Sequence, residues 1–289
     1  QAVIYIEAEL ERRNHPWQNH RLYSITTNGT MFTPEIKREL EANRCILSVG
    51  LSLDGIPYVH NMNRYNSYNR VMENFDWWRK TFPWNTVKAT VNKDSLPYLA
   101  DSVIHLIELG LDKIYMNNVF EDVWDKEDAK IFREQLYRVA DYLLEDSRYE
   151  RIYVSYFRHE YQEDRVKTEE RNWCGCGTCM VSVDVDGNLY PCHRFQTLSY
   201  RPNLKIGDIN TGYNYNLLRP FAYCNIRNLQ GEYRDKCWSC EHRCLCSWCT
   251  AYNYDVTGTI FRRAPMPCDM IAAQAEVNRY FFGRISELE

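Results

Sequence analysis

The chain has 289 residues, 45% of them hydrophobic, and a formal charge of −4, enough for one large domain or two ordinary ones with a real core. The small acidic excess leaves no footprint for nucleic acid, and no apolar run reaches bilayer-spanning length, so a soluble, cytoplasmic protein without nucleic-acid or membrane partners is expected. Twelve cysteines divide the chain chemically, because all but Cys45 lie between Cys174 and Cys268; without a secretion signal, such density points to metal ligation rather than disulfides.

The chain opens on an acidic, helix-like stretch ending near Arg13, with neither an initiating methionine nor a signal peptide, which suggests that the natural N-terminus lies upstream. Residues 22–27 form an apolar, β-branched strand ended by Asn28-Gly29, and Thr33-Pro34 opens a helix with a cap and a first-position proline. A second strand is expected over 46–52, then the turn Leu53-Asp54-Gly55 and a helix around 68–80. Residues 86–91 are the third strand, followed by a helix whose Leu99, Val103, Leu106 and Ile107 share a face and which Gly110 stops. Residues 113–119 make the fourth, with Phe132, Leu136, Val139 and Leu143 at helical spacing behind it. Four successive β–α units imply parallel strands, in a barrel or an open doubly wound sheet. In such folds ligands bind beyond the C-terminal strand ends, where Asn28, Ser52, Asp54, Asn92, Asn117 and Asn118 fall; each could equally serve as a turn or cap residue.

The second half carries the thiols. Cys174, Cys176 and Cys179 precede Met180–Val185, the turn Asp186-Gly187, and Asn188-Leu-Tyr-Pro-Cys192-His193. This reads as a β-hairpin that brings Cys179 and Cys192 near one another. Farther on, Cys237, Cys240, Cys244, Cys246 and Cys249 crowd together, and Cys268 stands alone. Paired Cys-x-x-Cys knuckles also suit a structural zinc, but a count beyond four and a remote last cysteine shift the balance toward iron–sulfur ligation. His193 and His242 read as donors behind the ligands, and Cys45 as a small buried hydrophobe.

Gly187-Asn-Leu-Tyr-Pro-Cys192, then Cys237-x2-Cys240-x5-Cys246-x2-Cys249, then Cys268 resembles the SPASM extension of radical S-adenosylmethionine enzymes, although that pattern has three residues between its last two clustered cysteines. Ile25-Thr-Thr-Asn-Gly29 and Ser52-Leu-Asp-Gly55 look like the third and fourth strand ends of the same superfamily. Tyr190-Pro-Cys-His-Arg-Phe195 and Cys246-Ser-Trp-Cys-Thr-Ala-Tyr-Asn-Tyr254 resemble its peptide maturases. The resemblance implies an α/β fold: a partial radical SAM (β/α) barrel holding strands three to six in residues 1–160, then a small SPASM domain in 161–289 with a β-hairpin and a C-terminal helix. It implies two auxiliary [4Fe-4S] clusters, one on Cys174, Cys179, Cys192 and Cys249, the other on Cys237, Cys240, Cys246 and Cys268, leaving Cys176, Cys224 and Cys244 over. Asn28, Ser52 and Arg64 would face S-adenosylmethionine. The Cys-x3-Cys-x2-Cys motif that holds the radical-generating [4Fe-4S] cluster is not in this sequence, nor is a Gly-Gly-Glu-Pro segment, so the chain alone is expected to be inactive and the activity to belong to an intact parent. That activity would be modification of a ribosomally made, cysteine-containing precursor peptide, by thioether crosslinking, with a flavodoxin or ferredoxin as electron donor. Sulfatase maturation is the alternative, weakened because that family has aspartate where His193 follows Cys192. A zinc-stapled peptide-binding module is the non-enzyme alternative.

Overall fold

The computed structural model describes residues 2–82, 84, 86–121, 124–158, 172, 174–197, 201, 204–243, 246–265 and 268–288. The chain divides into two compact units, residues 1–118 with 135–156, and residues 119–134 with 157–289. The domain boundary expected at 160/161, like Cys244, lies outside the described residues.

The chain runs α1 (Ala2–Arg12), β1 (Tyr23–Thr27), α2 (Pro34–Ala42), β2 (Leu47–Ser52), α3 (Pro57–Asn63), α4 (Tyr68–Thr81), β3 (Val87–Val91), α5 (Leu99–Glu108), β4 (Lys113–Asn118), α6 (Lys126–Leu144) and β5 (Tyr153–Val154). In the first unit the strands form one five-stranded sheet in the order β1-β2-β3-β4-β5, every neighbour parallel. The four β–α units expected from the sequence are therefore present, with a fifth strand of only two residues. Val49, Leu51, Val87, Ala89 and Ile114 are at most 1% exposed, the burial of a parallel sheet covered on both faces. The cap on α2 forms as read: the Thr33 hydroxyl accepts from Ile36 N. Along α6, Phe132, Leu136, Val139 and Leu143 are all buried. Cys45 is exposed rather than buried, because β2 begins two residues later, at Leu47, and leaves the thiol in the preceding turn.

The register sets the strand ends side by side. Thr27 pairs with Leu51, Ser52 with Lys88 and Val91 with Asn118, so Asn28, Ser52, Asn92 and Asn118 share the C-terminal edge where α/β folds bind ligands.

The second unit adds β6 (Ser182–Val183), β7 (Asn188–Tyr190), α7 (His193–Thr197), β8 (Gly207–Asp208), β9 (Gly212–Tyr213), α8 (Tyr215–Ala222), α9 (Tyr233–Trp238), α10 (Thr250–Thr257) and α11 (Cys268–Leu288). The expected hairpin is β6–β7, and β8 and β9 extend it to a four-stranded antiparallel sheet. Asp184 builds the turn by accepting from the backbone N–H groups of Asp186 and Asn188, with Gly187 at φ +82. The core behind it joins Tyr190, Phe195, Phe221, Trp248, Ala251 and Ile260 to Cys176, Cys192 and Cys224. Among the described residues no helix is long and apolar enough to cross a membrane.

Candidate functional site

In the first unit the strand-end edge is organised by a buried ion pair. Asp54 lies just beyond β2, and its side chain is only 1% exposed. Its carboxylate accepts from Arg64 Nε at 2.8 Å and Nη2 at 2.9 Å, from Thr90 N at 3.0 Å and from Asn63 Nδ2 at 3.3 Å. Asn63 in turn accepts from Asn92 Nδ2 at 3.0 Å, tying α3 to the end of β3. His60 Nδ1 accepts from Asp54 N, and burial depresses the pKa of its imidazole. The structure thus gives Arg64 an internal partner: two of its nitrogens already grip Asp54, and a ligand carboxylate would compete for the same guanidinium. Asn28 also has local work, since its Oδ1 accepts from both the N–H and the hydroxyl of Thr30. Ser52 is half-buried at the last position of β2.

In the second unit the structure draws the thiols into two groups. Gly175 and Gly177 both adopt positive φ (74° and 70°), which coils residues 174–180 so that Thr178, Cys179 and Met180 all donate backbone N–H groups to Gly175 O. Gly177 N then donates to Pro191 O at 3.1 Å. The thiol this loop presents to Cys192 is that of Cys176, which is fully buried and interacts with both Cys174 and Cys192. Cys179, expected beside Cys192, instead has an exposed position on the loop and accepts from the Thr178 hydroxyl at 3.9 Å. Thiol contacts with Cys176 hold Cys174 and Cys192 at about 6 and about 7, with the Arg194 and Phe195 N–H groups also favouring the Cys192 thiolate, while Cys176 is pushed up. Cys249 faces Cys192 electrostatically and is raised by burial, and burial pushes Cys224 up to about 12. Arg194 senses the charges of Cys249 and Cys192 and is ion-paired to Glu121.

The second group is Cys237, Cys240, Cys246 and Cys268, which together line a cavity of about 50 Å³. Arg263, only 3% exposed, enters the same cavity and donates from Nη2 to Cys246 Sγ at 3.2 Å. Burial raises Cys237 and Cys268. Among the described residues no three His, Cys, Asp or Glu side chains converge on a single-ion geometry. Four thiols lining one cavity are the donor set that an iron–sulfur cluster takes. Sequence reading found these four cysteines but missed Arg263; its one sequence signal is its place between the cysteine cluster and Cys268.

No protein-family model matches the chain. A cysteine-type anaerobic sulfatase-maturating enzyme of Clostridium perfringens strain ATCC 13124 is 22% identical over 258 residues, 82% of this chain and 66% of that enzyme. Its counterpart in strain 13 is 24% identical over 64% of this chain and 53% of its own length. The chain therefore spans less than two thirds of these first relatives. An AdoMet-dependent heme synthase of Methanosarcina barkeri is 25% identical over 83% of this chain and 72% of that protein. Among solved structures, anSMEcpe with bound AdoMet superposes with a TM-score of 0.70 over 99% of this chain and 80% of that one, at 19% identity. Streptococcus suis SuiB bound to S-adenosylmethionine gives 0.56 over 84% of this chain and 58% of that one, at 15% identity. The chain has the α/β fold of radical S-adenosylmethionine enzymes.

Proposed function

We propose that the chain forms part of a radical S-adenosylmethionine enzyme that modifies a ribosomally made, cysteine-containing peptide, with its second unit holding two auxiliary [4Fe-4S] clusters. The observation that carries this is the gathering of scattered cysteines into two groups, one built on the buried Cys176 and Cys192 and the other around a cavity. Cys174, Cys176, Cys192 and Cys249 hold one cluster, with Cys176 in place of the Cys179 that family spacing implies. Cys237, Cys240, Cys246 and Cys268 hold the other. When bound, such clusters carry single electrons and can ligate a substrate thiolate.

The chain's own residues do the rest. Phe195, Phe221 and Trp248, all buried, pack around Cys176 and Cys192, and Arg194, ion-paired to Glu121, sets its guanidinium beside Cys192 and Cys249. Asn28 and Ser52 line the edge for S-adenosylmethionine, while Arg64 shapes it by fixing Asp54. These 289 residues contain no Cys-x3-Cys-x2-Cys, so no step is assigned to the radical-generating cluster. A flavodoxin or ferredoxin would supply electrons to such an enzyme in a cytoplasmic setting, where cysteines are kept available as ligands.

A peptide substrate is supported by two of the superposed structures, anSMEcpe with the Kp18Cys peptide and SuiB with its precursor peptide SuiA. The reaction we assign is thioether crosslinking: a peptide C–H and a cysteine S–H are replaced by C–S, the two electrons and one proton are taken up as S-adenosylmethionine is cleaved to methionine and 5′-deoxyadenosine, and the other proton is released. Sulfatase maturation is the second reading, favoured by the 0.70 superposition and disfavoured by His193 after Cys192. Mass spectrometry of a cysteine peptide treated with the enzyme that contains this chain separates them. Loss of two hydrogens with sulfur retained supports the crosslink, and loss of the sulfur with gain of an aldehyde refutes it.

A further inference from the structure

We propose that Arg263 is the counter-cation and sulfur hydrogen-bond donor of the four-thiol cavity, a positioning residue that sets the reduction potential of the cluster held there. This rests on the cluster reading above and deepens it.

Arg263 is an anomaly unless something anionic sits beside it. It is 3% exposed, and a buried guanidinium without a counter-charge is strongly destabilising. Arg64 is paired with Asp54 and Arg194 with Glu121; Lys236 and Arg243 also line the cavity, but Arg243 donates to Trp238 O and lies over the Trp238 ring, whereas Arg263 donates to a cavity sulfur. Arg263 has no carboxylate partner among the described residues; it donates to Cys246 Sγ at 3.2 Å, and its buried Nε has no hydrogen-bond partner. The Arg263 guanidinium lies over the Trp248 ring, 5.0 Å from its centroid, a cation–π contact, and Trp248 Nε1 is likewise buried without an acceptor.

The backbone on both sides is pinned. Gln230 N donates to Phe261 O at 2.8 Å, and Ala264 N donates to Asn253 Oδ1 at 2.9 Å, Asn253 itself being fully buried. The cation is thus delivered rigidly to a cavity walled by four thiols. Four thiolates around a [4Fe-4S] core leave net negative charge, and reduction adds one more electron. A fixed cation bonded to a ligand sulfur stabilises the reduced form more than the oxidised one, which raises the potential.

The test reconstitutes the chain anaerobically with iron and sulfide, as wild type, Arg263→Lys and Arg263→Gln, and follows a redox titration by electron paramagnetic resonance. With Arg263→Gln, both clusters are retained and one reduction moves to a more negative potential while the other stays. The transition that moves is the one abolished by Cys268→Ala. Arg263→Lys, which keeps the charge but loses the planar fork, moves less. Retained clusters with unchanged potentials in Arg263→Gln overturn the proposal while leaving the cluster reading intact. If Arg263→Gln loses iron, Arg263→Lys decides: a lowered potential supports the proposal, and an unchanged potential or a lost cluster overturns it. A wild-type chain that takes up no iron overturns the cluster reading and this proposal together.

Discussion

Replacing Arg64 by alanine removes the cation from a carboxylate whose side chain is 1% exposed and leaves Asp54 with two neutral donors, Thr90 N and Asn63 Nδ2. Breaking one side of a buried ion pair costs about 3–5 kcal/mol. Arg64 is itself 27% exposed, so water can enter the vacated space, and the loss should sit near the lower end, about 3 kcal/mol. With a urea slope of about 2 kcal/mol/M, the midpoint of the first unit falls by about 1.5 M. Because two units need not unfold together, the assay is urea-dependent hydrogen exchange at Leu51, Leu53 and Thr90, whose N–H groups bond across β2 and β3 or to Asp54. The double variant Asp54→Asn/Arg64→Met, which removes both charges, should lose less than Arg64→Ala alone. A midpoint shift below about 0.5 M for Arg64→Ala, or a double variant less stable than the single, would refute the view that this pair holds the strand-end edge together.

Three further outcomes follow from particular contacts. Cys176→Ala should reduce iron in the reconstituted chain by about half, one cluster of two, whereas Cys179→Ala should leave it unchanged; the reverse result would restore the ligand set that the family spacing implies. Gly29 adopts φ +72, and a Cβ there would stand 2.5 Å from Leu51 Cδ1, so Gly29→Ala should cost about 2–3 kcal/mol in urea denaturation; a neutral substitution would contradict that close packing. Glu7 is held at about 2, first by its hydrogen bond from Arg21 and then by that from Tyr23. A depressed carboxyl adds stability that is complete above its ordinary value of 4.5 and lost as pH falls toward about 2, so hydrogen exchange in α1 should accelerate through that window; Glu9 on the same helix is held at about 2 by Arg12 and Arg13, so Glu7→Gln should weaken the acid dependence and Glu7→Gln/Glu9→Gln should abolish it.

The larger elements were legible because their signals are local. The strand preceding Asn28-Gly29, the Thr33-Pro34 cap and the repeat of Phe132, Leu136, Val139 and Leu143 each carry their own pattern, and the structure keeps them within a residue or two. β5, β8 and β9, with two residues each, are too short for any periodicity and exist because a neighbouring strand pairs with them. α3 lacks an apolar repeat and is held by contacts made after folding, Arg64 and Asn63 on Asp54.

At the candidate site the cysteines announced themselves, but which one meets Cys192 depends on two left-handed glycines that coil the loop around Cys176. Spacing counts residues along the chain and cannot register that coil. Arg64 was visible as a cation near a strand end, while its engagement by Asp54, ten residues earlier, emerges only when β2 and α3 are in place. Arg263 had no pattern at all: its meaning comes from burial beside thiols contributed by residues 237–268.

The most direct measurement is the metal content and spectrum of the chain purified anaerobically after reconstitution with iron and sulfide. Two clusters predict about eight iron and eight sulfide per chain, a brown protein, and two reductions resolved by electron paramagnetic resonance. A colourless protein binding stoichiometric zinc, with no iron or sulfide, would contradict the account.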